Sequence, residues 1–261
     1  MSVRISALVV AHNEERHLPE CLQTLKFADE IIVVLDRSTD HSYRIAMKQT
    51  NLVYEGSWEI EGDRRNFGIG KCSGEWILEI DADERVSPDL ASEILEQIKN
   101  KRSDKKTDYT YFNIPFDNYI GSKLVKNGWG CYWGVRSAPR LFKKGSKTWE
   151  SGTIHPSYKI SGEGGKMKYS IVHYVDDNIS DMIRRFDRYT ESNAKQLISK
   201  GNQDGFWNNF RRIFSRFFKC YVQRKGFKEG SYGFLNALFA GLYPIVSYLK
   251  AKEIIEQRTE K

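Results

Sequence analysis

Paired cysteines are missing from this chain. Its four, Cys21, Cys72, Cys131 and Cys220, are widely scattered. No Cys-x-x-Cys spacing occurs, which argues against a zinc ribbon or a redox dithiol and fits a reduced, cytosolic setting. No internal repeat and no low-complexity tract is visible, so solenoid architectures drop out. Met1 to Ile5 lead directly into an apolar run without a cleavable region, so no signal peptide is expected. The first apolar run is followed by His12-Asn13-Glu14 and not by a Gly-rich, lysine-bearing phosphate loop, which weakens a nucleotidyltransferase reading. Acid is absent from residues 211–228, where Arg211, Arg212, Arg216, Lys219, Arg224, Lys225 and Lys228 lie. Charge of either sign is absent from Gly230 to Leu249.

What remains is an ordinary globular composition. The 261 residues are 40% hydrophobic and 29% charged, enough for one large domain or a domain with an appendage. The formal net charge of +7 permits nucleic acid, anionic lipid or a phosphorylated substrate as partner without choosing among them.

Short apolar runs alternate with helical patterns through the first hundred residues. Ile5 to Val10, Ile31 to Leu35, Asn51 to Glu55 and Trp76 to Ile80 read as strands. Leu18, Cys21, Leu22 and Leu25 recur at helical spacing, and Asp63 to Gly70 and Pro88 to about Lys101 read as further helices. This order predicts a mostly parallel sheet covered on both faces, in which ligands bind outside the carboxyl ends of the strands. His12-Asn13-Glu14, Asp36 and Asp81/Asp83 each follow a strand, so they are expected to converge on one edge.

Asp81-Ala82-Asp83-Glu84 is the densest group of acids in that set. Extended geometry would put Asp81 and Asp83 on one side. Carboxylates at a strand mouth are costly to desolvate unless a cation or donors compensate them, and hard oxygen ligands suit Mg²⁺ or Mn²⁺. Taken alone, the motif is equally an acidic turn before the helix begun by Ser87-Pro88-Asp89.

From Asp108 the pattern becomes β-like and aromatic. Gly128 to Gly134 interleaves glycine with Trp129, Tyr132 and Trp133, a composition suited to a sugar platform or to an irregular part of the core. His155 and His173 each stand at a strand-like position, as structural histidines or as ligands. Ser180 is expected to cap a helix running to Gly201. Beyond it, Phe206, Trp207, Phe210, Phe214 and Phe218 interleave with arginines on a basic amphipathic helix. Polar residues within the uncharged stretch make it a poor spanning helix, so the pair is expected to lie on an anionic membrane surface, or else to pack as a helical pair or join two subunits. No nucleic-acid motif accompanies the basic helix.

Val9-Val10-Ala11-His12-Asn13-Glu14-Glu15, Asp36-x-Ser38-Thr39-Asp40, Arg65-Asn66-Phe67-Gly68 and Asp81-Ala82-Asp83-Glu84 together resemble the family 2 glycosyltransferases of the GT-A fold. Arg140-Leu141-Phe142, Ile154-His155, Ile171 to Tyr174 and Tyr221 to Gly233 resemble the subgroup that includes lipopolysaccharide core β-1,4-glucosyltransferases. The resemblance implies a GT-A catalytic domain over 1–178, with a nucleotide-sugar half over 1–100 and an acceptor half over 101–178, and a helical extension over 179–261. It implies inverting transfer of a hexose, glucose by subgroup, from a UDP-sugar to a lipid-linked or lipopolysaccharide-core acceptor, at the inner face of the cytoplasmic membrane. By position, Ala11, His12, Asn13 and Glu14 would wall the base and ribose, and Asp36 would accept a hydrogen bond from uracil. Arg65 would meet the base or the diphosphate. Asp81 would lie by the ribose and metal, and Asp83 would ligate the Mg²⁺ or Mn²⁺. Many relatives carry an acid after the histidine where this chain has Pro156, so Glu150 is the first candidate for the base, with Asp176 and Asp177 behind it and His155 as base or ligand. The competing readings are a nucleotidyltransferase and an inactive membrane-associated scaffold.

Overall fold

The computed structural model describes residues 4–99, 108–129, 135–151, 157–201 and 205–259. The chain forms two compact units, Met1–Phe116 with Ser137–His173, and Asp117–Arg136 with Tyr174–Lys261.

The first unit is built around β1 (Ile5–Ala11), flanked by β2 (Glu30–Asp36) and β4 (Trp76–Asp81) in parallel, with β3 (Val53–Gly56) outside β2. Every residue of β1 is buried, and its side chains divide by parity, as the two-residue strand period requires. Ile5, Ala7, Val9 and Ala11 join one cluster with Leu18, Cys21 and Leu22 of α1 (Leu18–Thr24) and Leu90 and Ile94 of α4 (Pro88–Lys99). Leu8 and Val10 join the other, with Phe67 and Ile69 of α3 (Glu61–Lys71). Both faces of β1 are therefore covered by helices, which is why Ala7 to Ala11 read as an unbroken apolar run. Gly68 lets α3 come close to β1, since a Cβ there would lie 2.6 Å from Leu8 Cδ1. The short helix α2 (Ser42–Met47) joins β2 to β3.

Beyond β4 the sheet turns antiparallel. β8 (Ser137–Lys143) pairs with β4 on one side and β6 (Tyr109–Ile120) on the other. A feature the sequence pattern did not announce is β5 (Glu84–Val86), which pairs antiparallel with β12 (Ile171–Asp176) so that His173 faces Glu84. The short β9 (Lys147–Trp149) pairs with β10 (Tyr158–Ile160), and β11 (Glu163–Lys166) adds to β6. The α/β architecture with a helical carboxyl-terminal region is the one expected.

The second unit takes in the ends of β6 and β12 and the small strand β7 (Lys123–Leu124), and its larger part is helical: α5 (Ile179–Ser199), α6 (Phe206–Phe218) and α7 (Gly230–Thr259). The cap of α5 is Asn178, whose side chain accepts from Asp181 N at 3.0 Å, and not Ser180. Asn178 is the residue that adopts the extended backbone a cap needs. The uncharged stretch of α7 forms the unit's core: Phe239 packs with Ile120, Val125, Trp129 and Met182, while Ala237 and Ala240 pack on Cys220. Trp129 is thus a core residue; residues 130–134 lie outside the described residues. One candidate span by length and composition, Gly226–Arg258, has 56% of its apolar window buried within the protein.

Candidate functional site

The loops after β1 and β2 are stitched together. His12 Nδ1 lies 2.6 Å from the carbonyl oxygen of Asp36. Asn13, at φ +54, takes the left-handed conformation and accepts from Thr39 N through its side chain at 2.8 Å. The backbone N–H of Glu14 donates to Ser42 Oγ at 3.0 Å. Ala11 is buried beside Leu35 in the β1–β2 ladder. Asp36, buried at the end of β2, accepts from Arg37, from Trp58 N at 3.0 Å and from Arg64 at 3.1 Å. Burial alone would raise its pKa, but these donors hold it below the usual carboxylate range.

At the end of β4 the side chains form a layered charge network. The deepest member, Glu79, has no solvent exposure. It accepts from Lys147 Nζ at 2.6 Å, Arg65 at 2.9 Å and Trp149 Nε1 at 3.0 Å. Burial opposes its ionisation, yet Lys147, Arg65 and Arg140 pull its pKa down to about 2. Lys147 moves below its own ordinary value because burial outweighs the single carboxylate it faces. Pairing wins for Glu79, which has three cations, and loses for Lys147, which has one anion.

One step outward, Asp81 accepts from Arg140 at 2.5 Å and from Arg65 at 3.0 Å. Those cations overcome burial and keep it strongly acidic. Arg140 also binds Glu84, whose other oxygen accepts from Asp81 N at 3.0 Å. Glu84 is fully buried, and burial pushes its carboxyl up to about 7 in spite of Arg140.

Outermost are Asp83 and His173, with Asp83 Oδ2 3.5 Å from His173 Nε2. Burial would lower the pKa of His173, but Asp83, Glu84 and Asp81 raise it. One donor atom each from Asp83, Glu84 and His173 lie within 4.8 Å of one another. Two carboxylates and an imidazole form a donor set that accommodates a divalent ion. Among the described residues the network of ion-paired side chains holds six carboxylates (Asp36, Glu61, Glu79, Asp81, Asp83, Glu84) against five fixed cations (Arg37, Arg64, Arg65, Arg140, Lys147), because Arg64 spans Glu61 and Asp36. With every acid ionised and His173 neutral, it falls one positive charge short.

The structure thus brings Asp81 and Asp83 together, joined by Glu84 and His173. Sequence reasoning gave Glu84 no ligand role, and it left His173 as one of two isolated histidines. The available signal was the β-like triplet Glu84-Arg85-Val86, whose pairing with Ile171 to His173 makes the contact. Arg65 is committed to Glu61, Glu79 and Asp81, while its neighbour Arg64 reaches Asp36. Glu150 stands apart from this network. It is half-exposed, accepts from Ser157 Oγ, and has Lys159 at 3.6 Å. Those two partners, Ser157 first, lower its pKa. Its place is fixed by Asn66, which exchanges hydrogen bonds of 2.8 and 2.9 Å with the Trp149 backbone. Asp176 is held by Arg185 in a buried two-point ion pair. His155 lies outside the described residues.

Comparison with known proteins matches residues 6–105, the segment from β1 through α4, to the family model Glycosyl transferase family 2. Over 96% of its length the chain is 24% identical to an uncharacterized glycosyltransferase of Rickettsia typhi, covering 87% of that protein. It is 23% identical to the lipopolysaccharide core biosynthesis glycosyltransferase LpsC of Rhizobium meliloti, over 98% of this chain and 94% of that one. A crystal structure of S. aureus TarS 1–349 in complex with UDP-GlcNAc superposes with a TM-score of 0.48 at 14% identity, covering 98% of this chain and 92% of that one. The parallel half of the sheet, with the acids gathered at its carboxyl edge, is the part of the chain that matches the glycosyl transferase family 2 model.

Proposed function

We propose that this protein is an inverting, divalent-metal-dependent transferase that moves a hexose, glucose on the subgroup resemblance, from a UDP-sugar to a lipid-linked or lipopolysaccharide-core saccharide at the inner face of the cytoplasmic membrane. The observation that carries it is the Asp83–Glu84–His173 cluster at the carboxyl edge of the sheet that matches the family 2 model. Near end-to-end similarity to a lipopolysaccharide core biosynthesis enzyme supports the acceptor class.

On this reading Asp83, Glu84 and His173 hold Mg²⁺ or Mn²⁺, with Asp81 behind them. When bound, the ion neutralises charge developing on a departing diphosphate. Arg140 and Arg65 keep Asp81 ionised, and Arg140 orients Glu84 toward the cluster, a supporting role that fixes ligand direction. The His12-Asn13-Glu14 loop, tied to the loop after β2, forms a preorganised wall for the nucleoside, with Asp36 and Arg64 at its floor. The acceptor hydroxyl must lose a proton, and Glu150 is the proposed base: a carboxylate held ionised at the surface and positioned by Asn66 and Trp149.

The test is slow donor hydrolysis by the purified chain across several nucleotide sugars, with Mn²⁺, Mg²⁺ or chelator, beside Asp83→Ala and Glu150→Gln. Metal-dependent turnover of one donor, lost in Asp83→Ala, supports the transferase and names the sugar. Failure of any donor to bind under either metal favours the inactive scaffold. Full transfer by Glu150→Gln removes Glu150 as base.

A further inference from the structure

Helix α6 has its apolar face turned outward. Trp207, Phe210, Phe214 and Phe218 recur every three or four residues and so form one stripe. They are 76%, 38%, 64% and 52% exposed. Successive rings touch, with centroids 6.0 Å apart for Trp207–Phe210 and 5.6 Å for Phe210–Phe214. The opposite stripe faces the unit's own core: Asn209 is buried, and Gly241 of α7 comes so close that a Cβ there would lie 2.7 Å from the Ile213 carbonyl oxygen. The uncharged part of α7 supplies that core, and among the described residues the rings of α6 stay exposed on the other side. Past the helix, Val222 and Phe227 are exposed as well.

The charge around this strip has one sign. Residues 205–228 contain seven Lys and Arg and no acid, and Arg211, Lys219, Lys225 and Lys228 are exposed. Rings in a row flanked by cations fit an apolar layer lying beneath an anionic one. A protein groove would need a matched shape and acidic rim, whereas a bilayer needs only this composition.

We propose that α6 and the turn following it dock on an anionic lipid bilayer, the rings entering the boundary between headgroups and acyl chains and the basic side chains meeting lipid phosphates. The docking face deepens the transferase reading, since it rests on the same lipid-borne acceptor for its purpose, but its chemistry is independent of catalysis. It also assigns membrane contact to α6 and not to the uncharged stretch of α7, which is core.

The experiment is sedimentation of the full chain with phosphatidylcholine vesicles, with and without phosphatidylglycerol, at low and high salt, alongside Trp207→Ser, Phe214→Ser and Arg211→Glu. Gel filtration and thermal melting of each variant report oligomeric state and folding. Binding to the anionic vesicles is expected, weakening about tenfold per ring removed and roughly fivefold per basic residue lost, with unchanged melting. Absence of wild-type binding at low salt overturns the proposal without reference to any variant. So does binding that the ring substitutions leave intact, or a dimer that they dissociate without vesicle binding. Intact vesicle binding by a chain that hydrolyses no donor would instead count against the transferase reading alone.

Discussion

Glu79→Gln tests whether the charge layer beneath the site is stabilising. The substitution preserves volume, so no cavity enters, but besides removing the charge it replaces one accepting oxygen by an NH₂ that must face either Lys147 or the Arg65 and Trp149 donors. Glu79 falls from an ordinary 4.5 to about 2 in the folded chain, against the effect of burial and because Lys147, Arg65 and Arg140 surround it. A difference of that size corresponds to about 3 kcal/mol of folding stability at pH 7. A carboxylate whose folded pKa is depressed contributes fully above its unfolded pKa, and loses that contribution as pH falls through the folded one. The advantage of wild type over the variant should therefore be about 3 kcal/mol at pH 7, about 2 kcal/mol at pH 3.5, and under about 1 kcal/mol near pH 2. Lys147 limits the loss, because a buried ammonium facing an amide can shed its proton. Urea unfolding of both proteins at matched ionic strength across this pH range measures the gap. A gap that is flat with pH, or below about 1 kcal/mol at pH 7, would refute the assignment of Glu79 as the stabilised anion of the network.

Three further outcomes follow from the geometry. His173→Ala should weaken Mn²⁺ binding at least about tenfold by isothermal titration while the melting temperature holds, and an unchanged affinity would take His173 out of the ligand set. Gly233→Ala and Gly70→Ala should act in opposite directions in urea: a Cβ on Gly233 would fall 1.8 Å from the Gly226 carbonyl oxygen, costing about 2 kcal/mol or more, whereas Gly70, at the end of α3, has nothing within 4 Å and should gain about 0.5 kcal/mol. Cys21 and Cys72 should resist alkylation in the native protein, since burial pushes both thiols up, Cys72 to about 12, and mass mapping of rapidly modified Cys21 or Cys72 peptides would contradict their burial.

How far the sequence could be read depended on whether a feature is local. β1, β2 and β4 were legible because both their faces are covered, so the apolar run stops where the strand leaves the core, and the next polar residues are the edge of the site. That places His12, Asn13, Asp36, Asp81 and Asp83 at one edge by a rule of topology alone. Arg65 was legible as a basic residue on a helix but not in its direction. Adjacent helix positions diverge by about 100°, so Arg65 reaches back to Glu61, one turn away, and across to Glu79, while Arg64 takes Asp36. Glu84 and His173 were not legible as a pair, because they meet through a three-residue antiparallel ladder between segments remote in sequence. Periodicity carries no information on which strands pair.

Helix α6 marks a different limit. Its amphipathic pattern is plain in the sequence, and so are the positions on each face. Periodicity separates two faces but does not say which is covered, and the usual inference, apolar inward, assumes that no other element competes for the core. Here α7 brings Ala237, Phe239, Ala240 and Tyr243 into that space without a charge to exclude it. The weaker amphipath takes the interior because it has no polar face to hydrate, and the stronger one is left displaying its rings. An outward apolar stripe on a helix already anchored by its polar side is therefore an observation only the packed unit can supply. It turns a composition compatible with several partners into a surface with a direction and a chemistry.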